Sequence, residues 1–361
     1  VSPSASGHPL NPVDQVSFNM HFDFDEALPS SGDAAGNYSD NLIDTGDLAG
    51  ADLAGGIWFT VGCHSGTNLP DVSVVAGAPS QDWAQTFSHL GALFLAQNAY
   101  GLGDTEALAL TERLMAYFAR NLTGSLSIGQ AHASAKQQYF ADLGLYGEYD
   151  YKAMQAATLF GLPMYKYGNG AMVTEPLPPV LPVSTDPFSG LASASWSVPD
   201  TGITVEEDTS KGDVFSVDGD VQFVHFRPLQ PIIRRDVTNP DNIVASGAFL
   251  TALTTEDIFV ADIAFARPVI DLGENEPEIE TDEVVFPTTF TSIANYKAPP
   301  VGGGLFERRE QLNVIVGQFT SLKDGASHGT ERLFRSLKAQ VFYRPEPAAS
   351  PAPEDDFQRP M

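Results

Sequence analysis

The chain has 361 residues, 43% of them hydrophobic and 18% charged, with 46 acids against 19 bases and a formal charge of −27. That length accommodates two domains and a sizeable core, and the charge argues against nucleic acid or an anionic membrane as partner, because no basic footprint is present to displace counterions. A single cysteine excludes an intrachain disulfide, and no apolar run approaches the roughly 20 residues that span a bilayer.

The first residues, Val1-Ser2-Pro3-Ser4-Ala5-Ser6-Gly7-His8, carry neither an initiator Met nor a basic-then-apolar signal pattern, so the chain is expected to begin inside a longer or processed product. Val16–Met20 and Ile57–Val61 read as strands, separated by a Gly/Asp/Ser-rich loop over Ser30–Asp52. Ala92–Ala96 is a third strand. Asp104 or Thr105 is placed to cap a helix in which Leu110, Leu114, Phe118 and Leu122 recur on one face. Gln130–Asp142 and Tyr149–Phe160 are further predicted helices. Strands alternating with helices over residues 1–170 predict a parallel sheet covered by helices.

Pro176-Leu177-Pro178-Pro179-Val180-Leu181-Pro182 marks a stiff linker over 171–184. Short alternating runs follow: Val214–Val217, Val221–Phe226, Phe249–Leu253, Ile258–Phe265, Thr288–Ile293, Leu312–Phe319 and Ala339–Tyr343. Asp218-Gly219 is a hairpin signal. Together they predict a β-sandwich over 185–345, followed by a disordered Pro-rich, acidic tail over 346–361. Glu274–Glu283 reads as a solvated acidic loop; a structural Ca²⁺ is conceivable there, although no loop has a recognisable ligand spacing, and no cofactor is expected.

The lone cysteine carries the chemistry. Ile57-Trp58-Phe59-Thr60-Val61-Gly62-Cys63 sets a thiol at the carboxyl end of a buried strand, where open α/β sheets gather their functional groups. Val16-Ser17-Phe18-Asn19-Met20 ends in the same way on His21. Adjacent parallel strands would bring thiol and imidazole to one edge, as a nucleophile and its proton-handling partner. His64 follows the thiol directly and ranks second as base, first as a loop or wall residue, since strand neighbours point to opposite faces. Zinc at Cys63 and His64 lacks the accompanying ligand spacing. A lone cysteine is more commonly a small buried hydrophobe, and that reading stands beside the catalytic one.

At these two motifs the chain resembles the caspase-like cysteine peptidases, most closely the gingipain-type branch, and the resemblance continues through Ala96–Asp104 and Gly161-Leu162-Pro163-Met164. It implies a caspase-like parallel sheet and a thiol endopeptidase acting on protein or peptide through an acyl-enzyme. Cys63 would be the nucleophile, His21 the general acid/base and Gly62 a shaper of the oxyanion region. Asp82 and Trp83 are the guesses for a specificity pocket. The resemblance departs at Phe22, where the family places Gly after the histidine, leaving Asp23 or Asp25 to orient the imidazole. It departs also at the amino end, where about 15 residues precede the His strand; the first strands of the family's sheet are then expected from the missing N-terminal part of the same polypeptide. The module following such domains is often immunoglobulin-like. A bacterial extracellular or surface location is expected, and a non-catalytic interaction or adhesion protein on the same fold is the alternative.

Overall fold

The computed structural model describes residues 15–28, 42–69, 81–104, 107–167, 179–207, 212–270, 285–299, 306–322 and 327–346. The acidic loop Glu274–Glu283, most of the proline linker and all of the tail beyond Glu346 lie outside the described residues.

The N-terminal half runs β1 (Gln15–Ser17), β2 (His21–Phe22), β3 (Glu26–Leu28), β4 (Ile43–Asp44), β5 (Ile57–Phe59), α1 (Trp83–His89), β6 (Leu93–Gln97), β7 (Leu102–Gly103), α2 (Leu110–Asn121), α3 (Ile128–Asp142), α4 (Glu148–Ala156) and β8 (Ala157–Phe160). Its central sheet has the order β1-β5-β6-β8, with β1, β5 and β6 parallel and β8 antiparallel. Alternation sorts the β5 and β6 side chains onto two faces. Ile57, Phe59, Leu93 and Leu95 pack with Leu114, Phe118 and Tyr139 of α2 and α3. Trp58, Phe94 and Ala96 pack on the opposite side with Trp83 and Phe87 of α1 and with Phe22 and Ala27 of the β2–β3 hairpin. With both faces covered, β5 and β6 are buried at every position, which is why they read as unbroken apolar runs.

The predicted stripe of α2 is buried at Leu110, Leu114 and Phe118. Asp104 does not cap it: Ala109 occupies that position without a side-chain bond, and Asp104 accepts instead from the backbone of Ala107 and Arg267 at 3.0 and 2.6 Å. α3 starts on a capping box of Ser127 and Gln130. The predicted helix 149–160 stops at Ala156, because Ala157–Phe160 pairs with Phe94–Gln97 and completes the sheet. Within the predicted loop 30–52, the described part holds β4 and a short 3₁₀ turn at Thr45–Leu48.

The C-terminal half consists of antiparallel sheets. The strands Ala192–Val198, Ile243–Val260 and Gly329–Pro345 form one sheet with their neighbours, and Gln230–Asp236, Thr291–Ala298 and Glu307–Ile315 belong to another. Ala194, Ala245, Leu337, Ala339 and Val341 of the first share a core with Leu312 and Val314 of the second. Asp218 and Gly219 both take positive φ, at 53° and 77°, and close the turn that their sequence predicts. The separately predicted strands at 249–253 and 258–265 merge into Ile243–Val260, which is kept in register with Gly329–Pro345 by three irregularities.

A polar junction joins the halves. Arg234 pairs with Asp220 and Asp142, and its guanidinium donates twice to the Asp142 carbonyl, at 3.0 and 3.3 Å. Asp142 also accepts from Tyr117 and, at 2.6 Å, from Gln311. Asn313 donates to the Ala141 carbonyl at 2.9 Å, and Arg113 reaches Asp220 at 3.5 Å.

Candidate active site

β1 and β5 lie side by side and parallel, Gln15 opposite Ile57, Val16 opposite Trp58 and Ser17 opposite Phe59. The same spacing persists beyond the strands. Phe18 N–H donates to the Phe59 carbonyl at 2.9 Å, and Val61 N–H donates to Asn19 Oδ1 at 3.2 Å, a pair 42 positions apart in the chain. His21 and Cys63 have this same separation in the chain. His21 does not simply end β1, however. The strand stops at Ser17, and His21 opens the β2–β3 hairpin opposite Leu28.

Gly62 is where the two segments touch. A side chain there would overlap the Phe22 ring, and its first carbon would stand 2.9 Å from the Met20 carbonyl oxygen. The residues flanking His21 therefore lie directly on Gly62, a close approach that only glycine permits. The Gly62 N–H is already used, donating to Thr60 Oγ1 at 2.9 Å. What Gly62 visibly supplies is space rather than a free donor.

Cys63 is half-buried, and its sulfur accepts the Gly101 N–H at 3.3 Å. Burial pushes the thiol above its ordinary pKa, and the Gly101 N–H partly opposes that rise. Gly101 is itself constrained, since a side chain would overlap the Val61 carbonyl oxygen. The turn after the thiol is closed by Ser65 Oγ donating to the Gly62 carbonyl at 2.7 Å. It is tied to the end of β6 and the residues after it by the Gln97 N–H donating to Ser65 Oγ at 3.2 Å, the Gly66 N–H to the Gln97 carbonyl at 2.7 Å and the His64 N–H to the Ala99 carbonyl at 2.8 Å. His64 adopts φ of +55°, unusual for a residue with a side chain, and sets its ring edge-to-face with Tyr100 at 4.7 Å. His64 is thus placed as a wall of this turn.

Trp83 and Asp82 sit elsewhere. Trp83 has no solvent exposure; its ring packs edge-on against Phe18 and Phe22, and its Nε1 donates to the Asp23 carbonyl at 3.0 Å. Asp82 is buried as the N-cap of α1, accepting from Gln85 and Leu69, each at 2.8 Å. The pair anchors α1 and the His21 hairpin, and neither side chain is open to a substrate in this structure. Asp23, offered by the sequence as an imidazole orienter, accepts from the Phe24 N–H at 2.8 Å. Burial, with Glu26 and Asp23 close by, raises the Asp25 carboxyl.

No protein-family model matches the chain, and no curated protein matches it. Among solved structures, a chain from a study of the zymogenic latency of gingipain K from Porphyromonas gingivalis aligns over 46% of this chain and 94% of its own, at 13% identity and a TM-score of 0.29. A chain from the complex of the pro- and mature domains of RgpB, from the same organism, aligns over 46% of this chain and 84% of its own, at 16% identity and a TM-score of 0.26. These likenesses are distant.

A cavity of about 710 Å³ opens beside the same strand ends, between Ser17, Asn19 and Val61 on one side and Leu108, Glu112 and Met115 on the other. Burial, together with the Asp104 charge, raises the Glu112 carboxyl. Among the described residues no cluster of three or more His, Cys, Asp or Glu could hold a metal ion, and no helix is long and apolar enough to cross a membrane. Asn19, Gly101 and Ser65 shape the thiol's surroundings without having been singled out by sequence. The one available signal is Asn19, a polar residue inside an otherwise strand-like run.

Proposed function

We propose that this chain carries the thiol and imidazole of a cysteine endopeptidase with a caspase-like sheet, Cys63 as nucleophile and His21 as general acid/base. The observation that supports the reading is the parallel pairing of β1 with β5, which the Asn19–Val61 bond extends toward the segments that hold His21 and Cys63. Phe22 is turned onto Gly62, and alternation along the His21–Phe22 strand turns His21 away from that contact. His21 removes the thiol proton as sulfur attacks the peptide carbonyl. It then returns that proton to the departing amine, and water attacks the thioester, releasing the acid and restoring the thiol. Burial favours the neutral form of the resting thiol.

The substrate is a protein or peptide, and the setting is extracellular or on a bacterial surface. Among the described residues β1 stands at the edge of the central sheet with Gln15 and Ser17 exposed, which supports pairing with a further strand at that edge. The C-terminal sheets, sharing one core, are read as an immunoglobulin-like sandwich with a scaffolding role. The raised thiol and the occupied Gly62 N–H favour a second reading, a non-catalytic surface interaction or adhesion module.

Labelling of the protein with a thiol-directed acylating peptide probe separates the two. The peptidase reading requires labelling of the wild type that is lost in Cys63→Ala and falls at least about tenfold in His21→Ala. Equal labelling of wild type and His21→Ala sinks it.

A further inference from the structure

Glu331, in the strand Gly329–Pro345, has no solvent exposure, and Gln230, which begins the strand Gln230–Asp236, is equally sealed. The two strands belong to different sheets. Gln230 Nε2 donates to Glu331 Oε2 and to the Leu229 carbonyl, both at 3.2 Å, and the Gln318 backbone N–H also bonds to the carboxyl group. That leaves one oxygen on each side chain, Glu331 Oε1 and Gln230 Oε1, and neither has a donor. The two converge: a β-carbon on Gly317 would stand 2.5 Å from the first and 2.6 Å from the second. Two buried acceptors facing one spot need a hydrogen between them. Turning the amide over only relocates the conflict, because its oxygen would then oppose the Leu229 carbonyl and Glu331 Oε2.

We propose that Glu331 is a neutral carboxylic acid in the folded protein, its Oε1 proton donated to Gln230 Oε1, and that this shared proton is a latch between the two sheets that alkali releases. The covalent structure does not change; only the proton leaves. Burial is the main cause of its retention and raises the carboxyl to about 8. The groups packed around it are uncharged: Gln230 and Pro231 from one strand, Gly317, Gln318 and Phe319 from Gly317–Ser321, and Ile258 opposite it on Ile243–Val260. Arg332 and Asp257, the charges at adjoining positions, pair with each other in solvent. The folded state thus keeps a proton that the unfolded chain gives up near the ordinary glutamate value. The associated stability is complete below that value and is lost as pH rises through about 8.

Thermal unfolding of the full chain and of Glu331→Gln tests the latch from about pH 5 to about pH 10. Glutamine keeps a donor for Gln230 and never ionises. The wild type should melt progressively lower relative to the variant as pH approaches about 8, and the gap should stop widening above it. In the wild type alone, the Glu331 carboxyl carbon followed by NMR should titrate near 8, a readout that survives even if the variant folds poorly. A gap independent of pH, or a carboxyl that titrates in the ordinary glutamate range, overturns the proposal and points to a buried water or cation between the two oxygens.

Discussion

Asn19 accepts the backbone N–H of Val61 through its side-chain oxygen, at 3.2 Å. The bond lies just past the last paired residues of β1 and β5, where the two chains would otherwise part, and it carries their relative spacing toward His21 and Cys63. The close contact of Gly62 with Phe22 and Met20 then holds the His21 segment against the chain that leads into Cys63. Two small features, an amide and a missing side chain, therefore control how the candidate dyad is presented.

Substitution at the two glycines should separate a yielding neighbour from an unyielding one. Gly62→Ala meets chiefly the Phe22 ring, whereas Gly101→Ala meets the Val61 backbone carbonyl. Overpacking costs about 1–3 kcal/mol, and Gly101→Ala should fall at the upper end because backbone cannot rotate away. Urea unfolding of both variants measures this. A Gly101→Ala protein as stable as the wild type would show that the loop moves freely over Val61.

The thiol should be slow to alkylate at neutral pH. The thiolate is the reactive form, its fraction rises with pH, and burial displaces that rise upward. Iodoacetamide modification of Cys63, followed across pH, should therefore have its midpoint above the ordinary thiol value of about 8.5. A midpoint below about 7.5 would instead indicate a resting thiolate–imidazolium pair.

Arg234 should be the most sensitive residue of the junction between the halves. Arg234→Met removes the cation paired with Asp142, which is buried and keeps only its neutral donors Tyr117 and Gln311, and leaves Asp220 with only the more distant Arg113. Removing one member of a buried ionic cluster costs about 3–5 kcal/mol. Asp220→Asn should cost less, since that carboxylate is partly exposed. Denaturant unfolding watched by near-UV and far-UV signals should show one transition in the wild type and two in Arg234→Met. A cost under about 1 kcal/mol would reduce the junction to a surface ion pair.

The sequence by itself determined what local chemistry decides. Apolar runs with aromatic residues marked β5 and β6, the recurrence of Leu110, Leu114 and Phe118 marked the buried face of α2, and Asp218-Gly219 turned its chain. It also placed Cys63 directly beyond a buried strand. Only the tertiary structure decided the rest. Ala157–Phe160 left its helical pattern because a strand edge was there to be paired, and His21 entered a hairpin because residues 26–28 return beside it. Trp83 turned inward to fill the space between that hairpin and the sheet, which no residue count along the chain can register. Arg234 with Asp142, and Gln230 with Glu331, are partners 92 and 101 positions apart. Periodicity reads only near neighbours, and such contacts exist only once distant segments have packed and excluded water.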